Sequence, residues 1–352
     1  MKKQTVLNIC FCAATALLAA ACGSEADVAE KSPLLIGEVT ADGKRPFYFD
    51  FSTGDMVTRG APETVLSKHV GVSSYLYAKG GTMGKPNFMW NEEVARSAAE
   101  GNKWRTRNAF NKPETGRSMK FMAYYPYTAQ EGTELDLTLS GSDATGPTVL
   151  TYEVPSDVTE QQDVMSGESD VIDTDVEQNS LSITMKHRLA GIQFVTGDIG
   201  LIGRIESIAL KGIYKRGTYT LGANAWQLKG DPEDVEFNID TDFQVTAITL
   251  ADEEGGKQVI TDGDNTLLML PQQIPADAKM VIKFRGTAVG ETEEKLHTLE
   301  APLRSDALSA WEWGKIYRYK ISIVSLALVY ELETHQWEGG SDESVVEGKI
   351  VI

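Results

Sequence analysis

The sequence predicts an all-β protein built as two β-sandwiches in series. Three observations carry this. The informative segments alternate apolar and polar residues with period two, Gly, Pro, Asn and Asp bound them, and long stretches of helical periodicity are lacking. At ~100 to 200 residues per domain, the 352 residues amount to two or three domains. A composition of 41% hydrophobic and 8% aromatic residues excludes a disordered chain.

The strand segments follow in chain order. Val70, Val72, Ser74 and Leu76 share one face; Ile183, Met185, His187 and Leu189 form a second such run, followed by Ile192 and Phe194. Tyr317, Tyr319, Ile321 and Ile323 form another. In Leu326, Leu328, Tyr330 and Leu332 the apolar face has changed parity, which requires a bulge or a new strand near Val324. The one helical expectation is the brief stretch Asn91 to Gly101. An acid-rich, apolar-poor segment from Gly167 to Ser180 marks the boundary, giving a first sandwich over 60–180 and a second over 181–352.

The N-terminal residues read as an address. Lys2 and Lys3 precede a mostly apolar run from Val6 to Ala21, too short to span ~30 Å of hydrocarbon as a permanent helix and laid out like an export signal. Residues 1–21 are therefore assigned to a signal peptide. Leu17, Leu18, Ala19, Ala20, Ala21 and Cys22 resemble a bacterial lipobox, with Cys22 as the lipid acceptor. Its acyl chains would supply the membrane anchor. Cys10, Cys12 and Cys22 are the only cysteines, so the rest of the chain has no disulfide and no thiolate chemistry. Gly23 to Ser32 is small and charged and reads as a tether within a 22–59 propeptide.

Thirty-three Lys and Arg against 51 Asp and Glu leave a net charge of −18. No nucleic-acid partner is expected, since phosphate binding requires clustered positive charge. No catalytic motif is present: there is no HExxH, GxSxG, Walker loop or GxGxxG. His69, His187, His297 and His335 are far apart, and His187, in its alternating strand, reads as a hydrogen-bonded structural histidine. The acidic groups at Asp170, Asp173, Asp175 and Glu177, at Asp240 and Asp242, and at Asp262 and Asp264 lack the EF-hand register and read as solvated loops. No metal, cofactor or enzymatic activity is expected. Trp90, Trp104, Trp226, Trp311, Trp313 and Trp337 could stack on sugars, although packing accounts for most of them.

Two segments look removable and insertable. Phe47, Phe49 and Phe51 share one face of a strand, and Thr58, Arg59, Gly60, Ala61 and Pro62 form a loop-like site suited to proteolysis between Arg59 and Gly60. Cutting there frees the strand, exposing three phenylalanines at roughly 5 to 9 kcal/mol of gross transfer energy and opening a sheet edge. At the other terminus, Gly339, Gly340 and Ser341 form a joint before a strand whose face is Val346, Gly348, Ile350 and Ile352. This strand either folds back on its own domain as an edge or adds to another copy. Exchange between copies is heterologous and yields a fibre.

Phe121 to Pro126, Gln162 to Met165 after Val154 and Pro155, and Ile183 to Phe194 with Lys186, His187, Leu189 and Ala190 occur in order. Leu268 to Gln272 with Pro275, and Trp313, Gly314, Lys315, Tyr317 and Tyr319, follow. Together they resemble the fimbrillin family, the type V pilus subunits. The resemblance implies two transthyretin-like β-sandwich domains in tandem, lipid at Cys22, transport to the outer membrane surface, and removal of the N-terminal segment after Arg59 by an Arg-specific or trypsin-like protease. It further implies polymerisation by donor-strand exchange, with Val346, Ile350 and Ile352 on the donor strand, and fimbriae that serve adhesion and biofilm formation through a host or bacterial surface receptor. The alternative is a monomeric outer-membrane lipoprotein that binds glycans on a Trp-lined face. A surface hydrolase, the third reading, would need a carboxylate pair across a cleft.

Overall fold

The computed structural model describes residues 40–53, 66–129, 137–142, 146–176, 181–199, 203–236, 243–245, 260–261, 266–287, 290–306, 308–324, 326–336 and 344–346. The described chain is all-β, with only two single-turn 3₁₀ segments, Ala98–Glu100 and Val158–Glu160. Its largest sheet has nine strands. Along the sheet the order is Leu181–Thr184, Tyr48–Ser52, Lys103–Thr106, Met89–Ser97, Val70–Ala78, Arg117–Tyr125, Met165–Glu168 and Lys186–His187, with Ile172–Asp173 paired to Arg117–Tyr125 off this path.

The two ends of that order are consecutive in sequence, so one stretch of chain serves both edges. Leu181–Thr184 pairs parallel with the Tyr48–Ser52 strand, and after Met185 the chain pairs antiparallel with Ser166 and Met165. The sheet thereby wraps on itself. Gly167 permits this closure, because a Cβ there would sit 2.3 Å from the Thr184 carbonyl oxygen. Inside the wrap, Phe47, Phe49, Val70, Val72, Met119, Phe121, Tyr125, Met165, Ile183 and Met185 form one core.

On the outside of this sheet lies a four-stranded one, Ala225–Lys229, Arg216–Thr220, Gly146–Glu153 and Leu137–Ser142. Ser73 and Thr148 hydroxyls meet at 3.1 Å, and Ser166 and Tyr219 at 2.9 Å, between the two layers. The third and fourth layers are five-stranded. One runs Leu267–Met269, Ala190–Ile199, Lys315–Val324, Ala327–Gln336 and Ser344–Val346; the other joins Gly203–Ile213, Glu233–Glu236, Phe243–Val245, Lys279–Gly286 and Lys295–Pro302. Phe194, Tyr319, Ile321 and Tyr330 of the first share a core with Ile208, Leu210, Ile282 and Phe284 of the second, as in a sandwich. That core continues to Tyr75, Met122 and Tyr124 on the outer face of the nine-stranded sheet.

Several sequence expectations correspond to these elements. The parity change after Ile323 is a hairpin: Val324 pairs with Ala327, and Leu326 has the positive φ of 64° that a tight turn uses. His187 is buried, with Nδ1 3.0 Å from Asp163 Oδ1. Residues 181–187, assigned from sequence to the second sandwich, are strands of the nine-stranded sheet, and residues 146–153 pair with 216–220 across the expected boundary.

The helical expectation for Asn91 to Gly101 is wrong. Met89–Ser97 is a strand, followed by the Ala98–Glu100 turn. Two neighbouring strands supply its backbone partners, and Glu92 is buried. It accepts hydrogen bonds from the Asn108 backbone N–H at 2.7 Å and side-chain amide at 2.9 Å. Tertiary pairing overrides the local propensity.

The tyrosines of the second sandwich fix its response to alkali. Burial pushes the Tyr317 hydroxyl up to about 12, partly offset by the Glu312 N–H that donates to it at 2.8 Å. Burial also raises Tyr319 and Tyr330, and does the same to Tyr124 of the nine-stranded sheet. The folded state holds these protons where the unfolded chain releases them near pH 10. Stability is therefore complete below about pH 10 and is lost as pH rises through the folded values. A titration of tyrosinate absorbance should show these side chains ionising together with loss of the β circular dichroism signal. Smooth ionisation near pH 10 with the fold intact would contradict this.

Candidate functional site

The site is the position held by Tyr48–Ser52. A turn at Thr40–Lys44, with Gly43 at φ 82° and the Thr40 N–H donating to the Lys44 carbonyl at 2.8 Å, leads into it. Arg45 and Phe110 then exchange backbone hydrogen bonds at 3.0 and 2.8 Å. Alternation turns Phe47, Phe49 and Phe51 to one face. Phe47 and Phe49 are fully buried, and Phe51 is half-buried.

An aromatic cluster receives them. Phe47 lies 5.7 Å from Phe88, 5.9 Å from Phe110 and 5.8 Å from Phe121. Phe49 meets Phe121 edge-on at 5.6 Å, and Phe51 meets Trp104 at 5.5 Å. Edge-to-face packing of this kind adds ~0.5 to 1.5 kcal/mol per pair beyond area burial.

The strand is internal to the sheet. On one side Tyr48 pairs with Arg105 and Phe49 with Trp104, antiparallel. On the other, Phe49 to Ser52 pair with Leu181 to Thr184, parallel. Backbone bonds seal both ends: Thr106 N–H donates to the Phe47 carbonyl at 2.9 Å, and Met185 N–H to the Ser52 carbonyl at 2.7 Å. Taking this strand away would open the wrapped sheet and bare two edges, where sequence reasoning foresaw one. The parallel partner lies about 130 residues downstream in sequence, and no local signal announces such a pairing. Leu66, the next described residue, is buried in the same core.

Cys22, Arg59, Gly60, Ile350 and Ile352 lie outside the described residues. Val346 lies in the Ser344–Val346 strand, which pairs antiparallel with Leu332–Thr334 at the edge of its own five-stranded sheet. For these three residues the fold-back arrangement is the observed one.

Other motif residues have structural roles. Gln272 brackets Tyr214: its Oε1 accepts from the Tyr214 N–H at 2.9 Å and its Nε2 donates to the Tyr214 carbonyl at 3.0 Å. Trp337 lies outside the described residues, and the five described tryptophans do not form one face. Trp104 and Trp311 are buried, Trp90 and Trp226 pack partly buried against the large core, and Trp313, 40% exposed, lies under the Arg188 guanidinium at 4.6 Å. Among the described residues no three His, Cys, Asp or Glu side chains converge as a metal site.

A fimbrillin-like family profile matches residues 58–337, most of the chain. The chain belongs to the fimbrillin-like family. A curated relative, fimbrium subunit Fim1C of Phocaeicola vulgatus, is 31% identical over 130 residues. That match spans about a third of the length of each protein, 33% of this chain and 33% of the relative. Two solved structures share the fold. A fimbrial protein from Bacteroides vulgatus superposes with a TM-score of 0.56 at 17% identity, over 76% of this chain and 92% of the other. A cell adhesion protein from Bacteroides ovatus does so at 0.53 and 13%, over 85% and 99%. This fimbrillin-like chain is thus similar to proteins named as fimbrial and as cell-adhesion proteins.

Proposed function

We propose that this fimbrillin-like chain is a structural subunit of a cell-surface pilus. It is exported as a lipoprotein acylated at Cys22 and held in the outer membrane before processing. A protease then cleaves after Arg59, and the matured subunits polymerise by strand exchange with other copies or related pilins. The resulting fimbriae support adhesion and biofilm formation through a surface receptor. It has no catalytic role.

One observation carries the reading. An aromatic strand is threaded between two strands of a wrapped sheet, and Arg59 lies between it and Leu66 of the same core in sequence. Cleavage would cut the strand from the body at one peptide bond. Its departure would leave an apolar slot and two rows of unpaired backbone groups, a template for an added strand. The C-terminal segment has the matching character, with Val346, Gly348, Ile350 and Ile352 at alternate positions. Burying each Val or Ile contributes ~1.5 to 3 kcal/mol. Its three-residue pairing with Leu332–Thr334 is a small loss by comparison. Since each copy gives one strand and receives one, the contact repeats without closing.

The test is N-terminal sequencing of filaments sheared from cells. A start at Gly60 is expected; an acylated Cys22 in the assembled material would contradict the reading.

A further inference from the structure

A groove of about 490 Å³ lies where the ladder of Gln272–Gln273 and Ala310–Trp311 meets the open end of the Lys315–Val324 and Ala327–Gln336 hairpin. That volume falls within the ~300 to 1,000 Å³ of small-molecule sites. Strand exchange makes no use of it. Alternation sorts the side chains of the ladder: Gln272 and Trp311 are buried, whereas Gln273 is exposed and Ala310, opposite it, is half-buried. On the hairpin, Lys315 stands opposite Gln336. The segment Glu312–Gly314 joins the two.

That segment presents Trp313 to the groove. Gly314 has a φ of 70°, a conformation that favours glycine, and its N–H donates to the Leu189 carbonyl at 2.9 Å. Trp313 is left 40% exposed. The Arg188 guanidinium covers one face of its ring, 4.6 Å from the centre. Arg188 is itself buried and held: its Nε donates to Ser166 Oγ at 2.7 Å and its Nη2 to the Ser166 carbonyl at 3.2 Å. The ring is therefore a braced platform.

The polar groups around the platform carry no net charge. Among the described residues lining the groove, only Glu312 and Lys315 are charged, and they pair at 2.7 Å. Gln273 and Gln336 are exposed, and no hydrogen bond from another described residue engages their side-chain amides. An anionic ligand would meet Glu312 and the net charge of −18. A cationic one would meet Lys315, with the carboxylate already engaged. A wholly apolar one would take the two amides from water without replacing their hydrogen bonds. The chemistry that fits is an uncharged molecule with one CH face and several hydroxyls.

We infer that this groove binds a neutral glycan, with a sugar ring stacked on Trp313 and its hydroxyls held by Gln273 and Gln336. All of these residues belong to the uncleaved and the cleaved chain alike, so the site stands apart from strand exchange. Its service as a receptor site for adhesion rests on the pilus reading.

The test is binding of the full, uncleaved chain to an array of neutral oligosaccharides of hexoses and N-acetylhexosamines, printed beside their sialylated and sulfated forms. Titration calorimetry then reads the affinity for bound members. The parent should bind neutral members and gain nothing from added acid groups. Trp313→Ala should weaken that binding at least about tenfold, and Trp313→Phe should recover part of it. Gln273→Ala/Gln336→Ala changes only exposed side chains. It should weaken binding about threefold or more at an unchanged melting temperature, which keeps the test decisive if Trp313→Ala misfolds. No neutral member bound, a preference for the acidic forms, or binding unchanged in the glutamine variant would overturn the glycan site. Because the uncleaved chain is used, these outcomes read the groove whether or not strand exchange occurs, and a start other than Gly60 in sheared filaments would count against the pilus reading alone.

Discussion

Phe47→Ala and Phe49→Ala should each destabilise the full-length, uncleaved chain by about 3 to 5 kcal/mol. Both side chains are fully buried and both pack on Phe121, so truncation leaves a cavity lined by groups that cannot collapse into it. The double substitution should cost less than the sum, because the shared neighbour relaxes once. The same substitutions should have no effect on the matured polymer, from which both residues have been removed. Denaturant midpoints before and after Arg-specific cleavage and assembly separate the two cases. Equal destabilisation of the cleaved, assembled material would mean that residues 47–51 remain in the slot.

Arg59→Gln should block assembly while leaving the fold intact. Arg59 follows the strand in sequence and precedes the anchored Leu66, and its replacement removes the only Lys or Arg between Arg45 and Lys68. An Arg-specific protease then has no site in this stretch, the phenylalanines stay in the slot, and no acceptor forms. Ladders on SDS gels should be absent, and the thermal melt should match the parent. Ladders at the parental level from this variant would place maturation elsewhere.

Much of the fold was legible in the sequence, and the failures have physical reasons. The period-two runs at Val70–Leu76 and Tyr317–Ile323 became strands because the apolar face of each is packed on a core, and the first is buried on its other face as well. The parity change after Ile323 could be read as a break, since a strand cannot switch faces without one. The stretch at Asn91 misled because Glu92, Glu93 and Glu100 are common on helix surfaces. Only the fold brings Asn108 to the buried Glu92 carboxylate. At the candidate site, the single face of Phe47, Phe49 and Phe51 was visible from sequence. Their parallel neighbour Leu181–Thr184 was not, because pairing between segments so far apart leaves no local mark.

The central claim, that a neighbour's C-terminal strand takes the place of residues 48–52, is tested most directly by a cysteine pair. Cys10, Cys12 and Cys22 all precede Arg59, so a matured subunit is a cysteine-free background. Ser182 is exposed and paired with Asp50 on the strand to be replaced. Ser182→Cys combined with Lys349→Cys should give intermolecular disulfide ladders on mild oxidation, and only after cleavage at Arg59. Filaments that form without those cross-links, or the same cross-links in uncleaved chains, would contradict the account.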